Sequence, residues 1–168
     1  MTDKQIPLVA IVMGSDSDLP VMQQAADVLE ELGLAYKMSI LSAHRTPKAM
    51  MEFAENASSR GFRVIVAGAG GAAHLPGMVA AGTELPVVGV PINATPLNGL
   101  DALMSVAQMP GGVPVATVAI NGAKNAGILA AQILGAGDAG IRNKVLEHKK
   151  RMEMAVQEKA QKLASKQG

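Results

Sequence analysis

Residues 8–13 read Leu-Val-Ala-Ile-Val-Met, an apolar run without a polar side chain. A run that is apolar at every position is typical of a strand buried on both faces, as in a parallel sheet. After this run, residues 19–32 carry apolar side chains at helical spacing, with Pro20 in the first turn and Gly33 just past the end. A buried strand that leads into a helix is the repeating unit of an α/β fold.

The same unit recurs along the chain. Further strands are predicted at 35–41, 63–67, 86–90 and 114–119, and further helices at 47–60, 76–81, 97–109 and 123–134. Because the connections are short, this alternation predicts a parallel sheet with right-handed crossovers and helices on both faces. The length of 168 residues favours a single α/β domain, 1–168.

The last residues differ from the core, 8–137. Residues 138–168 are rich in charge and form a predicted C-terminal helical extension. Its apolar side chains recur at heptad-like spacing: Ile141, Val145, Met152, Val156 and Leu163. The stripe fits a helix lying on its own sheet, and it fits equally a helix reaching a neighbouring subunit.

The composition excludes several classes of function. The chain has no Cys, which excludes disulfides, Cys-ligated zinc and thiol nucleophiles. A net charge of +1 and 2% aromatic residues argue against nucleic acid as a partner. No uninterrupted apolar run reaches membrane length, and residues 1–7 lack a signal-peptide pattern, so we expect a cytoplasmic protein without membrane contact. The surplus of small apolar residues favours an oligomer over packing within one subunit.

Polar residues follow the first two strands, and the carboxyl ends of parallel strands share one edge of the sheet. Ser15 and Ser17 precede a helix, where hydroxyl and N–H groups indicate an anion site, and Asp18 suits sugar hydroxyls. Ser17 or Asp18 could instead simply cap the helix.

Residues 42–47 read Ser-Ala-His-Arg-Thr-Pro and follow the second strand. Ser42 and Arg45 are suitable donors for a phosphate, and His44 belongs to the residue type that titrates near neutral pH. The alternative is a capped loop whose His and Arg are merely solvated.

Residues 68–77 read Gly-Ala-Gly-Gly-Ala-Ala-His-Leu-Pro-Gly, which lets backbone N–H groups at Gly70 and Gly71 approach a ligand. The spacing also fits a dinucleotide fingerprint. We discount that interpretation because the segment follows the third strand, no acid ends the next strand, and Pro76 interrupts the helix. His44 and His74 could share a metal, but no Asp or Glu accompanies them, so no metal site is predicted. His148 lies on the apolar stripe of the extension and is expected to be packed.

Segments 14–18, 42–47 and 68–77 closely resemble the three signature loops of the bacterial N5-carboxyaminoimidazole ribonucleotide mutase family, the catalytic subunits of phosphoribosylaminoimidazole carboxylase in purine biosynthesis. The triplets Gln-Met-Pro at 108–110 and Lys-Asn-Ala at 124–126 are also similar to that family. The resemblance implies a flavodoxin-like three-layer α/β/α sandwich that assembles as a homo-octamer and shares active sites between subunits. It implies an imidazole ribonucleotide substrate, whose carboxylate moves from the exocyclic nitrogen to ring carbon C4 through trapped CO2, with no cofactor and no metal.

The resemblance also implies roles for residues. The histidine matching His44 shuttles the proton, and the residues matching Ser15, Asp18 and Arg45 bind the nucleotide. Arg45 after the histidine is similar to the mutase branch, whereas the animal-type branch typically has Lys there and carboxylates aminoimidazole ribonucleotide with free CO2. A direct carboxylase is therefore the second hypothesis, and a non-catalytic nucleotide-binding module is the third.

Overall fold

The computed structural model describes residues 6–166, so residues 1–5 of the N-terminal segment and residues 167–168 of the predicted extension lie outside the described part. Its parallel strands lie in the order β2-β1-β3-β4-β5. They are β1 (Val9–Met13), β2 (Tyr36–Ile40), β3 (Val64–Gly70), β4 (Val87–Ile92) and β5 (Ala116–Thr117). This order is that of flavodoxin-like folds and confirms the predicted fold class.

Helices follow each strand, and a 3-10 turn at Asp16–Asp18 precedes the first of them. They are α1 (Leu19–Glu31), α2 (Pro47–Asn56), α3 (Leu75–Ala81), α4 (Leu100–Ala107), α5 (Ala123–Gly137) and α6 (Ala139–Ala164). Within residues 6–166, none of these helices combines the length and the apolar character needed to cross a membrane.

Helices cover both faces of the sheet. All five residues of β1 are buried, as its apolar sequence predicts. Val9 and Ile11 contribute to a core shared with α1 and α5, whereas Ala10 and Val12 contribute to a core shared with α2, α3 and α4. The result is the expected three-layer α/β/α arrangement.

Small residues have a use inside the subunit, where α1 and α5 lie very close together. A Cβ added at Gly127 of α5 would lie 2.5 Å from Cγ1 of Val28 and 2.9 Å from the carbonyl oxygen of Ala25. Contact of this kind requires glycine, because any side chain would push the two helices apart. Part of the Ala and Gly surplus therefore serves packing within one subunit.

Three predicted boundaries are wrong in ways that matter for the sheet edge. β3 continues past residue 67 to Gly70, because Ala69 and Gly70 still pair with Pro91 and Ile92 of β4. α4 begins at Leu100 rather than at residue 97, because Asn98 and Gly99 adopt left-handed φ angles of 54° and 84°. β5 shrinks from the predicted 114–119 to two residues, paired only with Val88 and Gly89.

The extension forms one helix, α6, whose two parts differ. Its first turns begin at an Asp138 carboxylate that accepts the N–H of Ile141 at 3.0 Å, and they bury Ile141, Val145 and His148. From residue 149 to residue 166 every side chain is exposed. The stripe residues in this second part are 46–65% exposed: Met152, Val156 and Leu163. Helix α6 thus lies on its own subunit only at its beginning.

Candidate functional site

The exits of β1, β2, β3 and β4 converge on one cavity of ≈ 360 Å³. Its lining residues are Gly14, Ser15, Ser17, Asp18, Ser42, Ala43, His44, Arg45, Ala69, Gly70, Ala72, His74, Leu75 and Ala94. The structure therefore brings together every predicted site residue except Gly71, which follows Gly70 and does not line the cavity. We call the side formed by Ser15, Ser17, Asp18, Ser42, His44 and Arg45 the polar wall. The side formed by Ala69, Gly70, Ala72 and Ala94 is the small-residue wall.

In the loop after β1, carboxylate side chains accept hydrogen bonds from N–H groups of the same loop. Oδ2 of Asp18 accepts the N–H of Ser15 at 3.0 Å, and Oδ1 of Asp16 accepts the N–H of Ser17 at 3.1 Å. The Ser15 hydroxyl donates to Oδ1 of Asp16 at 2.9 Å. The N–H groups of Ser15 and Ser17 are thus paired within the loop, which leaves acceptor oxygens at this part of the polar wall, and the anion site stays a prediction. The acceptor oxygens suit the hydroxyl groups of a sugar.

The two carboxyl groups of this loop differ electrostatically. Burial raises the pKa of Asp18 above its usual value, and the N–H groups of Ser15 and Gly14 and the charge of Arg45 oppose that rise only in part. At Asp16, which is exposed, the bond from the Ser15 hydroxyl is the main cause that lowers the pKa. The pKa values of the two carboxyl groups are therefore shifted in opposite directions, down at Asp16 and up at Asp18.

The loop after β2 folds back on itself before α2 begins at Pro47. The Thr46 hydroxyl donates to the carbonyl oxygen of Ser42 at 3.1 Å and accepts the Ser42 N–H at 3.0 Å. The Ser42 hydroxyl accepts from the backbone N–H and from Nε of Arg45, at 3.1 and 3.3 Å. These bonds fix the backbone on both sides of His44.

Arg45 joins the two loops of the polar wall. Its Nη2 donates to the carbonyl oxygen of Gly14 at 3.0 Å. A guanidinium has five N–H donors, and this bond together with the Ser42 bond uses only part of them. The remaining donors stay at the cavity in a fixed orientation, which is what recognition of a phosphate requires.

Two histidines meet across the cavity. Nε2 of His44 lies 2.8 Å from Nδ1 of His74, and their rings are nearly perpendicular at 82°. One proton lies between these two nitrogens, so the tautomers of the two rings are linked: when one nitrogen donates, the other accepts. The contact uses Nε2 of His44 and leaves its Nδ1 for a ligand.

The small-residue wall is held by close contact. A Cβ added at Gly70 would lie 2.5 Å from Cβ of Ala94 and 3.1 Å from the carbonyl oxygen of Ile92. Gly71 turns the chain with a φ of 61°. No side chain larger than hydrogen fits at Gly70, so the backbone itself forms the surface that a ligand would meet.

The family model of AIR (aminoimidazole ribonucleotide) carboxylase matches residues 8–155. The chain belongs to the AIR carboxylase family. The match covers the sheet, all four cavity-forming exits and the first part of α6.

Individual members of the AIR carboxylase family carry two different names. The N5-carboxyaminoimidazole ribonucleotide mutase of Thermotoga maritima is 66% identical over 158 residues, which cover 94% of this chain and 92% of that protein. The phosphoribosylaminoimidazole carboxylase of Saccharomyces cerevisiae is 56% identical over 94% of this chain, which corresponds to 28% of that protein. The crystal structure of Treponema denticola PurE has a TM-score of 0.84 and 29% identity, and the match covers 94% of this chain and 98% of that one.

Seven residues that line the cavity were not among the predicted site residues, and two of them, His74 and Ala94, bear on the chemistry. His74 was left outside the predicted catalytic set, although it contacts His44 directly. Ala94 follows the fourth strand, whose exit carries no ionisable side chain near it. The only available signal was positional, since the exits of neighbouring parallel strands share an edge of the sheet.

The histidine pair is suited to proton transfer rather than to metal binding. Two nitrogens bound to one zinc ion lie farther apart than the 2.8 Å found here, because each Zn–N bond is about 2.0–2.1 Å long. Among residues 6–166, no group of three or more His, Asp and Glu side chains is arranged to hold a metal ion.

Proposed function

We propose that this chain is a mutase that converts N5-carboxyaminoimidazole ribonucleotide into 4-carboxy-5-aminoimidazole ribonucleotide, a step in the de novo biosynthesis of purines (IMP). The observation that carries the proposal is that His44, the fixed cation Arg45 and the backbone of Gly70 line one cavity. A nucleotide can then bind through its phosphate while its base faces both a proton carrier and a surface without side chains. The Thermotoga maritima relative, 66% identical, carries the mutase name.

Binding of the nucleotide is assigned to the polar wall. The unused donors of Arg45 and the Ser42 hydroxyl bind the 5′-phosphate through charge-assisted hydrogen bonds. Ser15, Ser17 and Asp18 face the ribose, because this loop presents oxygen acceptors and the N–H groups of Ser15 and Ser17 are already paired. The base then lies toward His44 and the backbone of Gly70.

The chemistry needs one proton to be given and one to be taken. Breaking the bond between the exocyclic nitrogen and the carboxylate carbon releases CO2, and the nitrogen takes a proton from His44. C4 then forms a bond to CO2, and the hydrogen of C4 leaves as a proton to His44, which returns to its starting state. His74 holds the His44 ring so that Nδ1 stays directed to the substrate.

CO2 must stay next to the ring between these two steps. The small-residue wall provides a surface of glycine and alanine that excludes water and leaves room for a small neutral molecule. In this proposal no cofactor and no metal takes part in the reaction, which matches the acid–base character of the histidine pair.

A direct carboxylase is the second candidate, because a relative 56% identical is named phosphoribosylaminoimidazole carboxylase. The two activities differ in their substrates. A mutase consumes N5-carboxyaminoimidazole ribonucleotide, whereas a direct carboxylase consumes aminoimidazole ribonucleotide and free CO2. A non-catalytic nucleotide-binding module would consume neither.

The deciding experiment incubates the purified chain with each substrate in the presence of EDTA and without ATP or biotin, and follows the C4-carboxylated product by NMR. We expect conversion of N5-carboxyaminoimidazole ribonucleotide above that in an enzyme-free sample, and little conversion of aminoimidazole ribonucleotide with bicarbonate. The opposite preference would establish the direct carboxylase. Tight nucleotide binding with no conversion of either would establish the binding module.

The assembly is part of the same proposal. We assign a homo-octamer in which the exposed second part of α6 contacts a neighbouring subunit, because its apolar side chains Met152, Val156 and Leu163 are 46–65% exposed. The chain is then one domain with a core, 8–137, and an extension, 138–168. The proposed location is the cytoplasm, and neither nucleic acid nor membrane is a proposed partner.

A further inference from the structure

Residues 93–99, the β4 loop, close the cavity on the side of the small-residue wall. The loop is anchored where it leaves β4, because the N–H of Asn93 donates to Oδ1 of Asn121 at 2.9 Å. Its end packs tightly as well, since a Cβ added at Gly99 would lie 2.6 Å from Cγ2 of Ile120. Between these anchors the loop carries Ala94, which lines the cavity, and Thr95, which does not.

Thr95 is fixed by a carboxylate on the next helix. Its hydroxyl donates to Oδ2 of Asp101 at 2.7 Å and accepts the N–H of Leu97 at 3.2 Å. A bond of this length to a carboxylate is of the stronger, charge-assisted kind. The hydroxyl therefore connects the middle of the β4 loop to the first turn of α4.

Asp101 is not placed as a surface acid would be. Its second oxygen, Oδ1, is buried and has no hydrogen-bond partner among the described residues. Leaving a carboxylate oxygen buried and unpaired costs free energy, and among residues 6–166 the bond from Thr95 to Oδ2 is the side-chain hydrogen bond that this carboxylate makes. Nothing in the proposed chemistry so far uses Asp101.

The position of Thr95 determines the position of the small-residue wall. Ala94, the residue before it, leaves no space for a side chain at Gly70, with 2.5 Å between the two Cβ positions. The Thr95 methyl, Cγ2, would lie 3.5 Å from a Cβ added at Gly71, which is ordinary contact. Ala94 therefore contacts the glycine that lines the cavity, Gly70, and Thr95 contacts the glycine that follows it, Gly71.

We propose that Asp101 is a positioning residue which, through Thr95, holds Ala94 against Gly70 and so keeps CO2 in the cavity between its release and its addition to C4. The inference rests on the proposed mutase function. The latch, as we call the Thr95–Asp101 bond, does not touch the nucleotide. Its loss opens the small-residue wall while the polar wall keeps the phosphate and the ribose.

The test measures escape of CO2 directly. The substrate is N5-carboxyaminoimidazole ribonucleotide with a ¹³C-labelled carboxylate, in buffer containing unlabelled bicarbonate, and the readout is the ¹³C content of the product carboxylate. Thr95→Val and Asp101→Ala remove the latch. Thr95→Ser and Asp101→Asn keep a donor and an acceptor, respectively. Ser105→Ala is the matched control, because its hydroxyl donates to the Asp101 carbonyl at 2.8 Å on the same helix without being part of the latch.

We expect the wild-type protein and Ser105→Ala to retain the label. Thr95→Val and Asp101→Ala should lose label to solvent about tenfold more often per turnover, the effect of one charge-assisted hydrogen bond. KM for the nucleotide should change by no more than about twofold, because its binding groups are untouched. Thr95→Ser should lie close to wild type, and Asp101→Asn should lie between wild type and Asp101→Ala because it keeps an acceptor without the charge. Both variants keep the test usable if a larger change prevents folding.

The outcomes separate this inference from the function on which it rests. If the wild-type protein does not convert the labelled substrate, the proposed function fails. If it converts the substrate and retains the label, but Thr95→Val and Asp101→Ala retain it equally, the latch is overturned. If Ser105→Ala loses as much label as the latch variants, the latch is also overturned, because the effect is then a general loosening of α4. Full exchange of the label by the wild-type protein overturns it as well.

Discussion

The two walls of the cavity are built by different means. In the polar wall, side chains bind across loops, as Arg45 does to the Gly14 carbonyl at 3.0 Å, and each residue type indicates a chemical role. In the small-residue wall, no cavity-lining side chain is larger than a methyl group, and the shape is set by close contacts such as that between Gly70 and the Ala94 Cβ. The contrast indicates that one wall selects and acts on the substrate, whereas the other limits the space around it. Substitutions should therefore have distinct signatures on the two sides.

Replacing the proton carrier should have the largest effect. His44→Asn removes the group that gives and takes the proton, so kcat should fall about 10²- to 10⁴-fold while nucleotide affinity stays nearly constant. Turnover assays combined with calorimetric binding of the product nucleotide measure both. His148→Asn, on α6 and outside the cavity, is the control, with activity scaled to folded protein. A His44→Asn protein with most of its activity would remove His44 from proton transfer.

A substitution in the small-residue wall should come next. Gly70→Ala places a Cβ where Ala94 lies, so the β4 loop must move, and displacements near 1 Å can cost about 10²-fold in rate. We expect the loss in kcat, with KM changed little. Gly137→Ala is the matched control, because a Cβ there meets nothing within 4 Å. If KM rose and kcat stayed the same, the small-residue wall would contribute to substrate binding rather than to the space around the reacting atoms.

Loss of the Arg45 cation should instead reduce the affinity for the nucleotide. Arg45→Ala removes charge-assisted contacts worth about 1.5–3 kcal/mol, so affinity for the nucleotide should fall roughly 10- to 100-fold. The comparison of affinity for the nucleotide and for the dephosphorylated nucleoside locates the contact, since the nucleoside should not distinguish wild type from variant. Arg60→Ala, whose guanidinium lies over Phe53 and Phe62, should bind normally. Unchanged affinity in Arg45→Ala would place the phosphate elsewhere.

The smallest expected effect is on stability. The folded pKa of Asp18 is raised, so the stability that Asp18 adds relative to Asp18→Asn is fully present below its usual pKa of 3.8 and is lost as pH rises through the folded value. The folded pKa of Asp16 is lowered. The free energy of unfolding of wild type relative to Asp16→Asn should therefore increase as pH rises from the folded pKa to the usual value of 3.8. Denaturant unfolding at a series of pH values measures both. If the stability of wild type relative to the variant changed with pH in the same direction for both variants, the contrast between a buried and an exposed carboxylate would be contradicted.

The polar wall could be predicted from sequence because its residues follow two strands whose apolar runs are readable. Residues 8–13 marked β1, and the Ser-Ala-His-Arg-Thr-Pro segment marked the β2 exit. Since parallel strands end at one edge, convergence of the two loops followed from topology alone. The ends of α1, at Pro20 and near Gly33, were equally readable from residue type.

The small-residue wall could not be predicted in the same way. Ala94 has no chemical signature, and its contact with Gly70 depends on how far β3 and β4 continue side by side. The latch is also invisible in sequence, because Thr95 and Asp101 are separated by left-handed residues at Asn98 and Gly99 that the helical pattern of 97–109 concealed. The contact between His44 and His74 joins two strand exits 30 residues apart, and only their geometry shows that the rings meet.

The most direct test of the division between the walls is the crystal structure of the His44→Asn protein with the product nucleotide bound. We predict the 5′-phosphate at Arg45 and Ser42, the ribose beside Asp18, and ring carbon C4 within about 3.5 Å of the side chain at position 44. The C4 carboxylate should lie against Gly70 and Ala94. A phosphate held on the small-residue side, or a base that faces away from position 44, would contradict this division.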